Sequence, residues 1–139
     1  MKISVVICCY NSAQRLKPTL EALANQTQTC FDWEIVLVNN NSNDNTSTAA
    51  TSFWNEINTS STKLKIVDER TPGLSYARKK GVSVARGEYV LFCDDDNWLN
   101  DNYVKNAFDI MESDFSIGSL CGKSVAEYEV VPDDFVLQH

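Results

Sequence analysis

The sequence predicts an α/β fold, a mainly parallel sheet flanked by helices. Three observations carry that expectation. Short β-branched apolar runs alternate with segments whose apolar residues recur at helical spacing. Several of the runs stop abruptly at clusters of polar turn residues. The composition, 43% apolar and 22% charged with five glycines and three prolines, is globular and neither disordered nor collagen-like. The 139 residues are expected to form one domain, 1–139, with a core large enough to stand without disulfides.

The elements follow in order. Ile3–Cys9 reads as a strand buried on both faces, broken by Tyr10-Asn11-Ser12. A helix is expected from Pro18, which suits a first helical turn, with Leu16, Leu20, Leu23 and Ala24 at helical spacing. Trp33–Val38 is a second strand running into the polar loop Asn39–Asp44. Ala49, Ala50, Phe53, Trp54 and Ile57 mark one face of a second helix. After a loop at Asn58–Thr62, Leu64–Val67 is a short third strand, and Arg70-Thr71-Pro72-Gly73 is turn chemistry. Leu74, Ala77, Gly81, Val82 and Ala85 form a third helical stripe, which Gly87 is expected to end. Tyr89–Cys93 is a fourth strand, stopping at Asp94-Asp95-Asp96-Asn97. Asn100 is expected to cap a fourth helix carrying Tyr103, Val104, Ala107, Phe108 and Met111. Ser119–Val125 reads as a fifth strand, and the acidic tail to His139 carries no assignment.

Composition excludes several functions. Twelve basic against 19 acidic residues give a net charge of −7, which argues against a nucleic-acid binder. The apolar runs fall far short of the roughly 20 residues of a membrane helix. The first strand also fails as a secretory signal, because Tyr10, Asn11, Gln14 and Arg15 follow at once, so a cytoplasmic location is expected. Five cysteines with no C-x-x-C pair suggest neither a disulfide framework nor a zinc knuckle, and Cys8, Cys9 and Cys93 read as small buried hydrophobes. The single histidine, His139, leaves no Ser-His-Asp or Cys-His set. Neither G-x-G-x-x-G nor the G-x-x-x-x-G-K phosphate loop is present.

In open parallel sheets, ligands bind beyond the carboxyl ends of the strands. Three polar clusters fall there: Cys9-Tyr10-Asn11, Asn39–Asp44 and Asp94-Asp95-Asp96. The acidic triplet is the sharpest signal. At an effective dielectric of ~20, two carboxylates ~6 Å apart repel by about 3 kcal/mol. A divalent cation removes that repulsion, and an oxygen-rich site suits Mg²⁺ or Mn²⁺. The alternative is a solvated acidic turn in which Asp96 or Asn97 caps the next helix. Arg78, Lys79 and Lys80 are the densest basic cluster; Arg78 reads either as a two-point phosphate grip or as part of a solvated helix face.

Four segments in order, VVICCYN (Val5–Asn11), EIVLVNNNSNDNT (Glu34–Thr46), PGLSYARKKG (Pro72–Gly81) and GEYVLFCDDDNW (Gly87–Trp98), resemble the donor-binding half of inverting glycosyltransferase family 2, over about residues 2–125. The resemblance implies a Rossmann-like GT-A fold that binds a nucleotide-diphosphate sugar, with a UDP-sugar favoured by family frequency. It implies a nucleotide pocket lined by Cys9, Tyr10 and Asn11, a base held by Asn39 and Asn40, and Asp44 closing that loop. Arg78 matches the Arg near the nucleotide. Asp94, Asp95 and Asp96 overlay the D-x-D region, where Asp96 binds the metal and the preceding acids face ribose or metal water, so that Asp94 belongs to both the nucleotide and the metal set. The acceptor would be a saccharide or lipid-linked hydroxyl, in polysaccharide or glycoconjugate assembly, with peripheral association at the inner face of the membrane.

This chain departs from the family pattern in three places. Asn39 stands where Asp is common, Lys79 follows Arg78 in place of Asn, and Asn97 replaces a further Asp. No segment matches the family's catalytic base, so the chain is expected to stop before the acceptor-binding part, and Glu127, Glu129, Asp133 and Asp134 read as surface residues. Two other readings stay open: a metal-dependent phosphohydrolase or nucleotidyl transferase using the triplet, and a non-enzymatic interaction module.

Overall fold

A computed structural model describes residues 1–27, 29–58 and 60–126. Four strands and four helices alternate: β1 (Ile3–Cys9), α1 (Leu16–Ala24), β2 (Trp33–Asn40), α2 (Thr46–Ile57), β3 (Lys63–Glu69), α3 (Leu74–Val84), β4 (Tyr89–Asp94) and α4 (Tyr103–Ser113). The strands form one parallel sheet in the order β3-β2-β1-β4. The chain therefore builds outward from β1 to β3, then crosses back to lay β4 on the other side of β1. This reversal opens a crevice between the carboxyl ends of β1 and β4, where Cys8 pairs with Asp94.

The core explains the layers. Ile3, Val5, Ile7, Ile35 and Leu37 point to one face, where they pack with Leu16, Leu20, Leu23, Trp54 and Val104 from α1, α2 and α4. Val6, Val36 and Val38 point to the other, where α3 supplies Ala77. Both central strands are covered on both faces, which is why they read as unbroken apolar runs. The edge strand β3 instead carries exposed Lys63 and Lys65, residues that discourage further pairing.

The connection from α3 into β4 is tied to the sheet by a buried carboxylate. Glu34 on β2 is fully buried beside Ser4 on β1. Its Oε1 accepts from Ser4 Oγ at 2.8 Å and from the Arg86 backbone N–H at 2.9 Å. Its Oε2 accepts from Arg86 Nε and Nη2 at 3.0 and 2.6 Å. The Gly87 N–H donates to Ser4 Oγ at 2.8 Å. Gly87 lies so close to β1 that a Cβ there would meet the Ser4 nitrogen at 2.4 Å and the Ile3 carbonyl carbon at 2.6 Å.

Several boundaries differ from the sequence expectation. Helix α1 starts at Leu16, not Pro18, because the Leu16 N–H finds the Ser12 carbonyl at 3.0 Å; Pro18 still sits in the first turn, where no N–H is required. Strand β2 continues through Asn39 and Asn40, expected as loop, because β3 runs alongside and pairs them with Asp68 and Glu69. Helix α3 ends at Val84, where Ala85 turns to extended backbone; Gly87 serves the approach to β1 and not the helix end. Leu74 and Val82 are exposed, so the buried stripe of α3 narrows to Ala77 and Gly81. Asn102, not Asn100, precedes α4; the Asn100 side chain accepts the Asn102 N–H one turn earlier.

The fifth strand expected at Ser119–Val125 does not form. Among the described residues the segment has no ladder partner, and the Gly122 N–H donates to the Tyr103 hydroxyl at 3.1 Å. Glu127, Glu129, Asp133, Asp134 and His139 lie outside the described residues. Cys9 and Cys93 are buried as expected, and Cys8 is half-buried. Among the described residues, no helix is long and apolar enough to cross a membrane.

Burial pushes the Glu34 carboxyl up, but the Arg86 side chain, Ser4 and the Arg86 N–H outweigh it and hold the group below its ordinary value. A lowered folded-state pKa contributes stability above the unfolded-state value and loses it as pH falls through the folded one. Glu34→Gln should therefore cost about 2 kcal/mol near neutral pH. In urea unfolding, the gap between wild type and variant should close as pH falls through the acidic range.

Candidate functional site

Beyond the carboxyl ends of β1 and β2 lies a cleft of about 420 Å³ lined by Cys8, Cys9, Tyr10, Asn40, Pro72, Gly73, Leu74 and Ala77. It lies on the α3 side of the carboxyl edge. Three of its residues, Cys9, Tyr10 and Asn40, are expected from sequence; the turn and helix residues from Pro72 to Ala77 are not. The signal for them was present, since Arg70–Gly73 follows β3 and so ends at the same edge.

Asn40 builds the cleft wall. It is buried, and its Nδ2 donates to the carbonyls of Glu69 and Thr71 at 3.1 and 2.7 Å. Its Oδ1 accepts from the Gly73 N–H at 2.8 Å. Gly73 takes φ 129°, a conformation open to glycine and strained for other residues, and its carbonyl accepts the first N–H groups of α3. One asparagine thus positions the turn that starts α3, and with it Leu74 and Ala77.

Asn39 belongs to the opposite face, because successive strand side chains alternate. Its Nδ2 donates to Asp68 Oδ1 at 3.1 Å, and its Oδ1 accepts from the Ser42 N–H at 3.2 Å. The two adjacent asparagines expected to hold one base are therefore split across the sheet. Asp44 also braces a loop. It accepts from the Ala13 N–H at 3.1 Å and the Thr46 N–H at 3.0 Å, and the Thr46 hydroxyl with these N–H groups outweighs burial to lower its pKa. Asn11, at φ 50°, accepts the Asn43 N–H at 2.8 Å and stitches the β1 and β2 loops together. Asparagine tolerates this left-handed backbone better than most residues.

The acidic triplet divides in the same way. Asp94 is half-exposed on the α3 side, and the Arg78 guanidinium stands 3.6 Å from its Oδ1. Arg78 also lies over the Phe92 ring, 5.2 Å from the centroid. Asp95 turns inward: its carboxylate accepts from Arg15 Nε at 3.2 Å, from Arg15 Nη2 at 2.9 Å and from Ser12 Oγ. Its carbonyl accepts from Thr19 Oγ1 at 2.9 Å. Asp96 is exposed, and the Asn97 N–H closes a tight turn on the Asp94 carbonyl at 3.1 Å. Neither Asp96 nor Asn97 caps a helix, since α4 begins only at Tyr103.

Ser12, Arg15 and Thr19 carry no local sequence signal, because their partner lies some 80 residues away. Burial pushes the Cys8 thiol up to about 11, with Arg78 opposing and Asp94 adding, so it lines the cleft as a neutral group rather than as a nucleophile.

Oxygen-only donors suit a hard cation such as Mg²⁺ or Mn²⁺. Among the described residues, no three His, Cys, Asp or Glu side chains converge. Asp94 and Asp96, both exposed carboxylates, would be the residues to hold such a cation.

The family model for Glycosyl transferase family 2 matches residues 4–135. The cholesterol galactosyltransferase of Borreliella burgdorferi is 33% identical over 115 residues, covering 83% of this chain and 30% of that protein. The putative glycosyltransferase EpsH of Bacillus subtilis is 32% identical over 101 residues, covering 73% of this chain and 28% of that protein. The crystal structure of Staphylococcus aureus TarS 1-349 in complex with UDP superposes with a TM-score of 0.70 at 30% identity, covering 81% of this chain and 32% of that one. The chain thus spans under a third of the length of each.

Removing the Asn40 amide breaks three hydrogen bonds at once. Asn40→Ala should lower unfolding stability by about 2 kcal/mol, and Asn39→Ala, whose partner Asp68 is exposed, by less. Denaturant titration of both variants checks the order.

Proposed function

The chain belongs to glycosyltransferase family 2, and from that premise we propose that it forms the donor-binding part of an enzyme that transfers a sugar from a nucleotide-diphosphate sugar to an acceptor hydroxyl with inversion. The observation that carries the proposal is the cleft beyond the ends of β1 and β2, lined by Cys8 and the exposed Tyr10, with Asp94 paired to Cys8 across the sheet and Arg78 beside Asp94. That sequence of groups suits a ligand with an aromatic base, a diphosphate and a bound cation. The other two readings have no observation in their favour.

In this reading the nucleotide lies in the cleft. Tyr10, with 52% of its surface exposed, offers a ring face to the base. Arg78 exchanges Asp94 for a diphosphate oxygen, a stronger charge-assisted contact for a planar guanidinium. Asp94 and Asp96 would hold the divalent cation, Mg²⁺ or Mn²⁺, which would supply charge neutralisation to the departing diphosphate. The acceptor oxygen forms its bond to the sugar C1 as the bond from C1 to the diphosphate oxygen breaks. The bonding pair leaves with the diphosphate, and the hydroxyl proton passes to a base that we assign to the acceptor-binding part, outside residues 1–126.

UDP is the favoured nucleotide, supported by the UDP bound to TarS in the structure at 30% identity. The same proposal gives the enzyme a saccharide or lipid-linked acceptor, a role in polysaccharide or glycoconjugate assembly, and a cytoplasmic location at the inner face of the membrane.

Thermal unfolding with UDP, GDP and dTDP, each with and without Mn²⁺, tests the proposal. A ligand at 100 times its Kd stabilises the folded state by about 2.7 kcal/mol. The expected result is a shift that needs both Mn²⁺ and one nucleotide, UDP first, and that Asp96→Ala abolishes. No shift with any pair would overturn the proposal for this chain.

A further inference from the structure

We infer that Arg15 is a positioning residue that locks the base end of the cleft to its cation end, through a bidentate contact with Asp95 and a contact with the Tyr10 carbonyl. The inference rests on the donor-site reading above.

The geometry is specific. Asp94 ends β4 beside Arg78, and the turn that follows carries Asp95 toward Ser12, Arg15 and Thr19, leaving its side chain only 10% exposed. A buried carboxylate needs a partner of opposite charge, and Arg15 supplies two parallel N–H donors. The same Nη2 that reaches Asp95 also reaches the Tyr10 carbonyl at 3.3 Å. Ser12 and Thr19, on either side of Arg15 in the chain, add the remaining contacts to Asp95. One guanidinium therefore holds the backbone that carries Tyr10 and the backbone that carries Asp94 and Asp96. Asp95 touches neither nucleotide nor cation in this account. It is the anchor that keeps its two neighbours facing outward.

A purely structural pair would affect folding and leave the binding of a folded protein alone. A positioning pair changes how strongly the cation and nucleotide support each other. Outer-shell partners of metal ligands typically affect metal affinity by roughly 10–100-fold. The distinguishing quantity is the Mn²⁺ affinity at saturating UDP, read from the loss of the free Mn²⁺ electron paramagnetic resonance signal on the full 139-residue chain.

Removing Arg15 alone would strand a buried charge, so the principal variant is Arg15→Met with Asp95→Leu, which replaces both partners by apolar groups. The expected result is a cooperatively folded protein whose Mn²⁺ affinity with UDP falls by at least about tenfold. Arg15→Lys keeps the charge but loses the fork, and is expected to fold and to fall severalfold. Wild-type Mn²⁺ affinity in the folded double variant would overturn the inference. If the double variant does not fold, the same result in Arg15→Lys overturns it. Wild-type protein that shows no UDP-dependent Mn²⁺ binding would instead overturn the donor-site reading, and this inference with it.

Discussion

Glu34 cannot be buried between two strands without a cation and hydrogen-bond donors around it, and the chain meets that demand by bringing Arg86 back across the sheet. This one contact sets much else. Arg86 and Gly87 lie between α3 and β4, so binding them to Ser4 and Glu34 delivers β4 to the free side of β1. With β4 there, the strand order reverses at β1 and the carboxyl edge splits into a crevice. Placed beyond β3 instead, the same four strands would leave no reversal at β1, and Asp94 would lie far from Cys8 and Tyr10.

The second organising fact is the alternation of side chains along a strand. Two pairs of neighbours that look equivalent in sequence are separated. Asn39 and Asn40 face opposite sides for this reason, and the turn that ends β4 parts Asp94 and Asp95 in the same way. In each pair, one residue serves the cleft and the other knits loops behind it. The separate partners also relieve the repulsion within the triplet. Asp95 is paired with Arg15 and Asp94 stands near Arg78, while Asp96 is exposed to solvent.

Much of the fold was legible from local pattern. The four strands and four helices could be read because each buries an apolar face whose spacing matches its own period, 2 for strands and 3.6 for helices. The boundaries that moved did so where a distant partner decided them. Asn39 and Asn40 joined β2 because β3 lay alongside, and Ser119–Val125 failed as a strand because no edge pairs with it. In the cleft, Cys9, Tyr10 and Asn40 could be picked out by their position at or just beyond strand ends. The Pro72–Ala77 wall was missed by attending to three of the four strand ends.

Residue type at short spacing carries the alternation of elements, the acidic edge and the family to which the chain belongs, so these could be read without the fold. Only the tertiary structure decided which carboxylate of the triplet is buried, which asparagine lines the cleft, and that Arg15 joins Tyr10 to Asp95. Those outcomes depend on contacts between residues up to 83 positions apart, and on which face of the sheet each one presents. No local spacing encodes them; they follow once β1 and β4 lie side by side.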